Sequence, residues 1–223
     1  MTSWDFWAAY LPYYLIGAVV TIELTVVAVI SGTLLGLLAA LAKIGAAKTL
    51  LTAGLKRLAS LYTWAIRGTP LLVQIYLVHF GLNQFDITLS RFESGAIALS
   101  VNAGAYITEI IRAGILSIDK GQMEAARALG MSYAKAMRRV IIPQAYRRLT
   151  PPLINEFVAL LKDSSLVSVI GLVELMRTAR IYSSSTFRPF DAFLLAALIY
   201  LLLTTVFTTI GNYVEKRLEV YEK

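Results

Sequence analysis

The sequence contains no cysteine, which excludes a disulfide framework and a thiolate metal site. A single histidine, His79, leaves no set of imidazoles to hold a metal ion. Charge is also scarce: 16% of the residues are charged, against about 25% in an ordinary soluble domain. The chain has no Gly-x-x-x-x-Gly-Lys-Ser/Thr loop to cradle a nucleotide phosphate and no His-Glu-x-x-His zinc motif. Ser164 and Ser165 have no histidine near them in sequence to act as a base. These absences argue against an intramembrane enzyme, so no catalytic residue, metal or cofactor of the chain's own is expected.

Apolar residues are abundant instead. They make up 57% of the 223 residues, with a mean hydropathy of +0.67, and the excess must face something other than water. A helix crosses a bilayer with about 20 mostly apolar residues. Five runs qualify, at about 15–42, 58–82, 95–115, 150–175 and 192–213. The first holds one charge, Glu23. The second is interrupted by Arg67 and Pro70, and the third carries Glu109 and Arg112 near its end. The fourth contains Lys162-Asp163-Ser164-Ser165, and the fifth is uncharged. The first run is too long for a signal-peptide core and no Lys or Arg precedes it, so it is expected to stay in place as a span. The expected fold is an all-α integral membrane protein of five transmembrane helices, forming one domain over 1–223. No internal repeat or low-complexity linker is present.

Loop charge predicts the orientation. The segment 43–57 holds Lys43, Lys48, Lys56 and Arg57 and no acid, and 112–148 holds eight basic residues against Asp119 and Glu124. Between them, 81–94 holds Asp86, Arg91 and Glu93. The two basic segments are therefore expected in the cytoplasm of a cell (inner) membrane protein. That places the N-terminus outside and the C-terminus inside. The net charge of +7 then reflects membrane topology rather than nucleic-acid binding. Trp4, Phe6, Trp7, Tyr10, Tyr13 and Tyr14 read as an interfacial lead-in, since amphipathic rings concentrate at the membrane boundary. The segment 214–223 has mixed charge and is expected to leave the membrane as a cytoplasmic helix.

The long segment 117–144 is patterned. Asp119 can cap a helix, with Gln122 three residues on to reciprocate. Gly130 stands where that helix ends at positive φ, and Ser132 can cap a second helix that Pro143 limits. The reading is helix, glycine turn, helix, facing the cytoplasm. Its small and apolar side chains, Ala125, Ala126, Ala128 and Leu129, allow close approach of another protein. The alternative is a solvated connection between spans, although a patterned loop of this length usually has a task.

Here a resemblance becomes specific. Glu124-Ala125-Ala126, then Gly130, then Val140-x-Ile142-Pro143 resembles the Glu-Ala-Ala loop of ABC importer permeases, with Val140 and Ile142 as conservative departures. Three more stretches resemble the polar amino-acid branch of that family: 67–74, 105–122, and Asn155-Glu156-Phe157 with 161–166, where Ser164 replaces the usual threonine. The resemblance covers about 15–213. It implies a type I importer permease that is not itself an enzyme. Glu124, Ala125, Ala126, Leu129, Gly130, Met131 and Ser132 would form the coupling surface for a dimer of separate ATPase subunits, which bind ATP and magnesium. A solute-binding protein would deliver the amino acid. Five spans are few for a path, so a second permease copy is expected, identical or a sister subunit.

Ionisable residues within a membrane usually face the bundle interior or a wet cavity. Glu23 reads as a packing or interfacial residue, Arg67 as a boundary residue, and Glu109 with Arg112 as an ion pair. His79 reads as a hydrogen-bonded packing residue and Pro70 as a kink. Glu156 and Asn155 sit just after Pro151-Pro152 on a span interrupted at 162–165, and interrupted helices often mark substrate sites. The candidate substrate residues are Glu156, Asn155, Asn102 and Gln74. Alternatively, Glu156 pairs with Lys162 or a neighbouring helix. A carboxylate left unpaired suits a basic amino acid, with glutamine, glutamate or another polar amino acid as runner-up. An ion-coupled carrier is the competing class, but carriers of that kind commonly show paired repeats.

Overall fold

The structure is a computed structural model that describes residues 2–45 and 49–219. Lys48, one of the loop cations used above, lies outside the described residues. Among those described there is no strand, and the all-α expectation holds. The elements are α1 (Ser3–Ile44), α2 (Leu50–Arg67), α3 (Leu71–Tyr76), α4 (Arg91–Leu116), α5 (Lys120–Ala128), α6 (Tyr133–Ala136), α7 (Ile142–Asp163), α8 (Leu175–Thr186) and α9 (Pro189–Glu219).

The aromatic lead-in is not separate from the first span. It forms the opening turns of α1, a single helix of 42 residues, about 63 Å long at the usual helical rise. Thr2 and Asp5 start it with a reciprocal capping box: Thr2 Oγ1 accepts the Asp5 amide at 3.3 Å and Asp5 Oδ2 accepts the Thr2 amide at 2.7 Å. Only some of the rings face outward. Trp4 and Tyr13 are exposed, whereas Phe6 and Tyr14 are fully buried. The Trp7 indole donates to the Asp191 carbonyl at 3.2 Å and the Tyr14 hydroxyl to the Ala192 carbonyl at 3.1 Å, tying α1 to the start of α9.

Three helices, α1, α4 and α9, are long and apolar enough to cross a membrane unaided. The second expected span is a bent pair instead. Its helix begins at Leu50 rather than near 58 and ends at Arg67. The chain then turns by 106° into α3, which continues as a π turn (Leu77–Gly81) and a 3₁₀ turn (Leu82–Phe85). Pro70 therefore marks a break and not merely a kink. The fourth span begins eight residues early, at Ile142, and α7 carries five charged residues, which puts it outside the apolar class. It gives way after Asp163 to a 3₁₀ segment, Ser164–Ile170, and Gly171. The short helix α8 was not anticipated. The five-span count thus resolves into three apolar helices, one broken pair and one charged helix.

The core lies between α1 and α4. Thr21, Thr25, Ala28, Gly32, Gly36 and Ala40 are buried along one stripe of α1. Small residues at such spacing let two helix backbones approach closely, the way helices associate in lipid. A methyl carbon added at Gly36 would stand 2.7 Å from Ile107 Cγ2 and 3.0 Å from the Gly104 carbonyl oxygen. One added at Gly104 would meet the Tyr62 hydroxyl at 2.6 Å and Leu35 Cβ at 3.0 Å.

Gly104→Val should therefore destabilise the bundle by about 1–3 kcal/mol, as overpacking does. The check is thermal melting of the purified chain in detergent beside Gly54→Ala in α2. No heavy atom lies within 4 Å of a Cβ at Gly54, so that variant should melt no lower than the parent.

Candidate functional site

The break between α2 and α3 sits beside the middle of α4. In an apolar medium the carbonyls freed at such a break need partners. One buried side chain supplies them: Gln74 Nε2 donates to the Ile66 carbonyl at 2.8 Å, the Thr69 carbonyl at 3.1 Å and Thr69 Oγ1 at 2.9 Å. Gln74 Oε1 in turn accepts from Asn102 Nδ2 at 3.0 Å. The structure thus brings together two of the four candidate substrate residues and engages both in bracing the break. Asn155 and Glu156 lie elsewhere, on α7. Asn155 is exposed and Glu156 half-buried, and neither makes a hydrogen bond or ion pair among the described residues. The alternative pairing of Glu156 with Lys162 is not formed.

Seven residues on from Glu156, Asp163 shares its helix face, about 10 Å away along the axis. Lys162 points to another side, into a cavity of about 360 Å³ with Ser165, Met176, Phe193 and Tyr200.

Below the break, the Arg67 guanidinium lies over the Tyr106 ring, 5.3 Å from its centre. The contact gives this expected boundary residue a defined partner. Arg67 and Tyr106 line a second cavity, of about 420 Å³, with Glu109, Ser117, Arg148 and Pro152. The expected Glu109–Arg112 pair is present, with Arg112 Nε 2.8 Å from Glu109 Oε2. It has a third member: Lys43 from α1 contacts Glu109 Oε1 and donates to Thr63 Oγ1 at 2.8 Å. His79 is bonded through Nδ1 to Ser94 Oγ at 2.9 Å, as a packing residue. Glu23 is exposed on α1 and unpaired among the described residues.

The loop 117–144 forms the expected helix, turn and helix. Asp119 caps α5 by accepting the Gly121 amide at 2.7 Å. Gln122 does not reciprocate; its Oε1 accepts instead from Gln144 at 3.3 Å and fastens α5 to α7. Gly130 has φ +79°, and Ser132 caps α6 through the Lys135 amide. Pro143 does not limit the second helix. It sits in the first turn of α7, where its missing amide hydrogen costs nothing, and a π turn (Met137–Ile141) joins α6 to α7. Glu124, Ala125, Leu129, Gly130 and Ser132 are exposed, Met131 is half-buried and Ala126 is buried. Behind this surface, Ile118, Ile141 and Ala145 are buried with Ile115, Met123, Met137 and Leu149 against them, and Arg148 donates to the Ser117 carbonyl at 2.6 Å.

One important residue went unread in the sequence. Glu174 is completely buried at the start of α8, where it accepts the Met176 amide at 2.9 Å, the Arg177 amide at 2.7 Å and the Tyr200 hydroxyl at 2.9 Å. The one local signal is Gly171, a turn residue inside the fourth apolar run, which could have pointed to a new element after it.

The family of inner membrane components of binding-protein-dependent transport systems matches residues 32–220. The chain belongs to this family. Membership makes it the membrane component of such a system and not its ATPase. It is 40% identical over 210 residues to an arginine transport system permease protein of Bacillus subtilis, with 94% of each chain covered. It is 40% identical over 205 residues to a putative glutamine transport system permease protein of Rickettsia conorii, with 92% of each covered. A crystal structure of an amino acid ABC transporter with histidines superposes with a TM-score of 0.90 at 44% identity, covering 97% of this chain and 99% of that one. An inward-facing methionine ABC transporter shares the fold, with a TM-score of 0.75 at 19% identity.

If Gln74 braces the break, Gln74→Leu should destabilise the chain by about 1–3 kcal/mol, the cost of leaving buried polar groups unmatched. Melting in detergent checks this. A normal melting temperature with altered uptake would make Gln74 a substrate ligand instead of a brace.

Proposed function

We propose that the chain carries a basic amino acid and that Glu156 meets it in the membrane. Its place as the membrane-spanning permease subunit of an ATP-driven amino-acid importer rests on the family and on relatives named for arginine, glutamine and cystine. The observation that carries the substrate class is the face of α7 bearing Glu156 and Asp163, two carboxylates without a hydrogen bond or ion pair among the described residues. Such a face is unfavourable in hydrocarbon unless it is wet or meets a cation. An arginine, lysine or histidine side chain, or an α-amino group, supplies that cation. Glutamine is the second reading, favoured by the Rickettsia relatives.

In this proposal the N-terminus lies outside and two permease copies enclose one path. The copies give Asn155, exposed in the single chain, an interior to face. The Glu124–Ser132 surface docks a separate ATPase, and ATP-driven closure of the ATPase pair drives the bundle between inward- and outward-facing states. A solute-binding protein delivers the amino acid on the outer side.

In liposomes with the partner proteins, Glu156→Gln should reduce uptake of labelled arginine at least tenfold. If Glu156 meets the side chain, glutamine uptake should be nearly unchanged; if it meets the α-amino group, both should fall together. Unchanged uptake of both would reduce Glu156 to a packing residue.

The coupling surface has its own test. A β-branched residue resists the positive φ of Gly130, whereas asparagine tolerates it. Gly130→Val should insert normally but retain several-fold less ATPase on co-purification, and Gly130→Asn should retain close to the parental amount. Full transport coupled to ATP hydrolysis in Gly130→Val would sink this assignment.

A further inference from the structure

At the end of the bundle where α1 and α4 finish, a cavity of about 430 Å³ opens between α1, α2 and α4. It is lined by Lys43, Ile44, Lys56, Glu109, Arg112 and Leu116. Its wall carries three cations against one carboxylate. Glu109 is already shared by Lys43 and Arg112, so it cannot neutralise the rest. Donors remain free. Arg112 uses only Nε, and Lys56 makes no hydrogen bond or ion pair, among the described residues. The side chains of Lys43 and Glu109 are only 14% and 17% exposed, so the floor of the cavity is fixed by packing. Its rim is apolar. Leu116 lines the mouth at 61% exposure, with Ile44 of α1 beside it.

We propose that this cavity binds the phosphate of an anionic phospholipid headgroup, with Lys56 and Arg112 as the anion ligands and the acyl chains leaving past Ile44 and Leu116. The chemistry required is a phosphate that carries net negative charge. The apolar Ile44 and Leu116 at the mouth favour a lipid over a free anion, since a soluble phosphate would gain nothing from them. Basic pockets between helices at the cytoplasmic side are suited to such headgroups. The loop charges that set the orientation put this cavity on that side. A lipid there would bridge α1 and α2 to the Glu109 end of α4 and so favour one inclination of α2.

The test is native mass spectrometry of the full chain in neutral detergent, titrated with phosphatidylglycerol and, separately, with phosphatidylcholine of the same acyl chains. Phosphatidylglycerol should be retained at least fivefold more tightly. Lys56→Ala should weaken it about fivefold and Lys56→Glu about thirtyfold, from the usual contribution of one basic residue near an anionic surface. Lys56 is exposed, so both variants should melt like the parent. If one does not, Lys56→Gln, which keeps the length of the side chain, replaces it. Lys216→Glu at the far end of α9 changes the net charge equally and should leave binding as it was. Equal retention of the two lipids, or equal weakening by Lys56→Glu and Lys216→Glu, overturns the site. A third arm adds inorganic phosphate. If it displaces phosphatidylglycerol at comparable concentration, the cavity is a site for soluble anions and the lipid assignment fails.

Discussion

Hydrocarbon offers no hydrogen bonds, so every interruption of a helix inside the membrane has to be satisfied by the protein itself. At two places in this chain a dedicated buried side chain does so. At the α2–α3 break the answer is Gln74, held in turn by Asn102 from α4. At the start of α8 it is Glu174, whose carboxylate takes the Met176 and Arg177 amides and is tied to α9 through Tyr200, while Thr21 of α1 takes the leading Leu175 amide. A carboxyl group at a helix N-terminus also interacts favourably with the helix dipole. Both devices couple neighbouring elements. Gln74 cannot move without α4, and Glu174 cannot move without α9.

Against these fixed points stands the close contact of α1 with α4. Apolar burial contributes little to association between helices in lipid, because the surroundings are as apolar as the side chains. Backbone approach over Gly32, Gly36 and Gly104 and the ion triad of Lys43, Glu109 and Arg112 take its place. The triad joins α1 and α4, and Thr63 brings in α2 through Lys43. Glu109 also stands between the two cavities on either side of α4, one lined by Arg67 and Arg148 and the other by Lys56 and Arg112. Protonating or replacing this carboxylate would loosen α1, α2 and α4 together.

Much of this was legible in the sequence, in proportion to how local the determinants are. Capping residues and the positive-φ glycine act within a few residues, so Asp119, Gly130 and Ser132 could be placed from spacing alone. The apolar runs of α1, α4 and α9 are long enough to be recognised in isolation. The failures share one physical cause: tertiary partners. Whether Pro70 bends a helix slightly or ends it depends on whether Gln74 and Asn102 can satisfy the broken turn, and they lie 28 residues apart. The hydrogen bond between Gln74 and Asn102 joins two helices, which spacing within either run does not reveal. The fourth span was placed late because Arg147 and Arg148 interrupt its hydropathy, although Arg148 is in part spent on the Ser117 carbonyl. The small residues of α1 were visible, but a stripe of glycine and alanine acquires meaning only from the helix that it faces.

The continuity of the second half of the coupling loop with α7 has a mechanical consequence. From Tyr133 to Asp163 the chain is one nearly unbroken helical run, on the order of 45 Å long. Its first end adjoins the exposed turn at Gly130, and its other end carries Glu156 and Asp163. The cluster around Ile118, Ile141 and Ala145 fixes α5 to this run. A push on the turn is therefore delivered to α7 rather than absorbed in the loop. Compliance is confined to two places, the π turn at Met137–Ile141 and the Pro151-Pro152 pair, because these are where the regular hydrogen-bond ladder is altered. Beyond them the run meets the 3₁₀ segment Ser164–Ile170, buried at Val167 and Ser168. In the proposed cycle, displacement of α7 would shift Glu156 relative to α4 while the Asp163 end stays anchored through that segment. A helical run driven at one end and anchored at the other, with its carboxylates near the anchor, is an arrangement suited to alternating access.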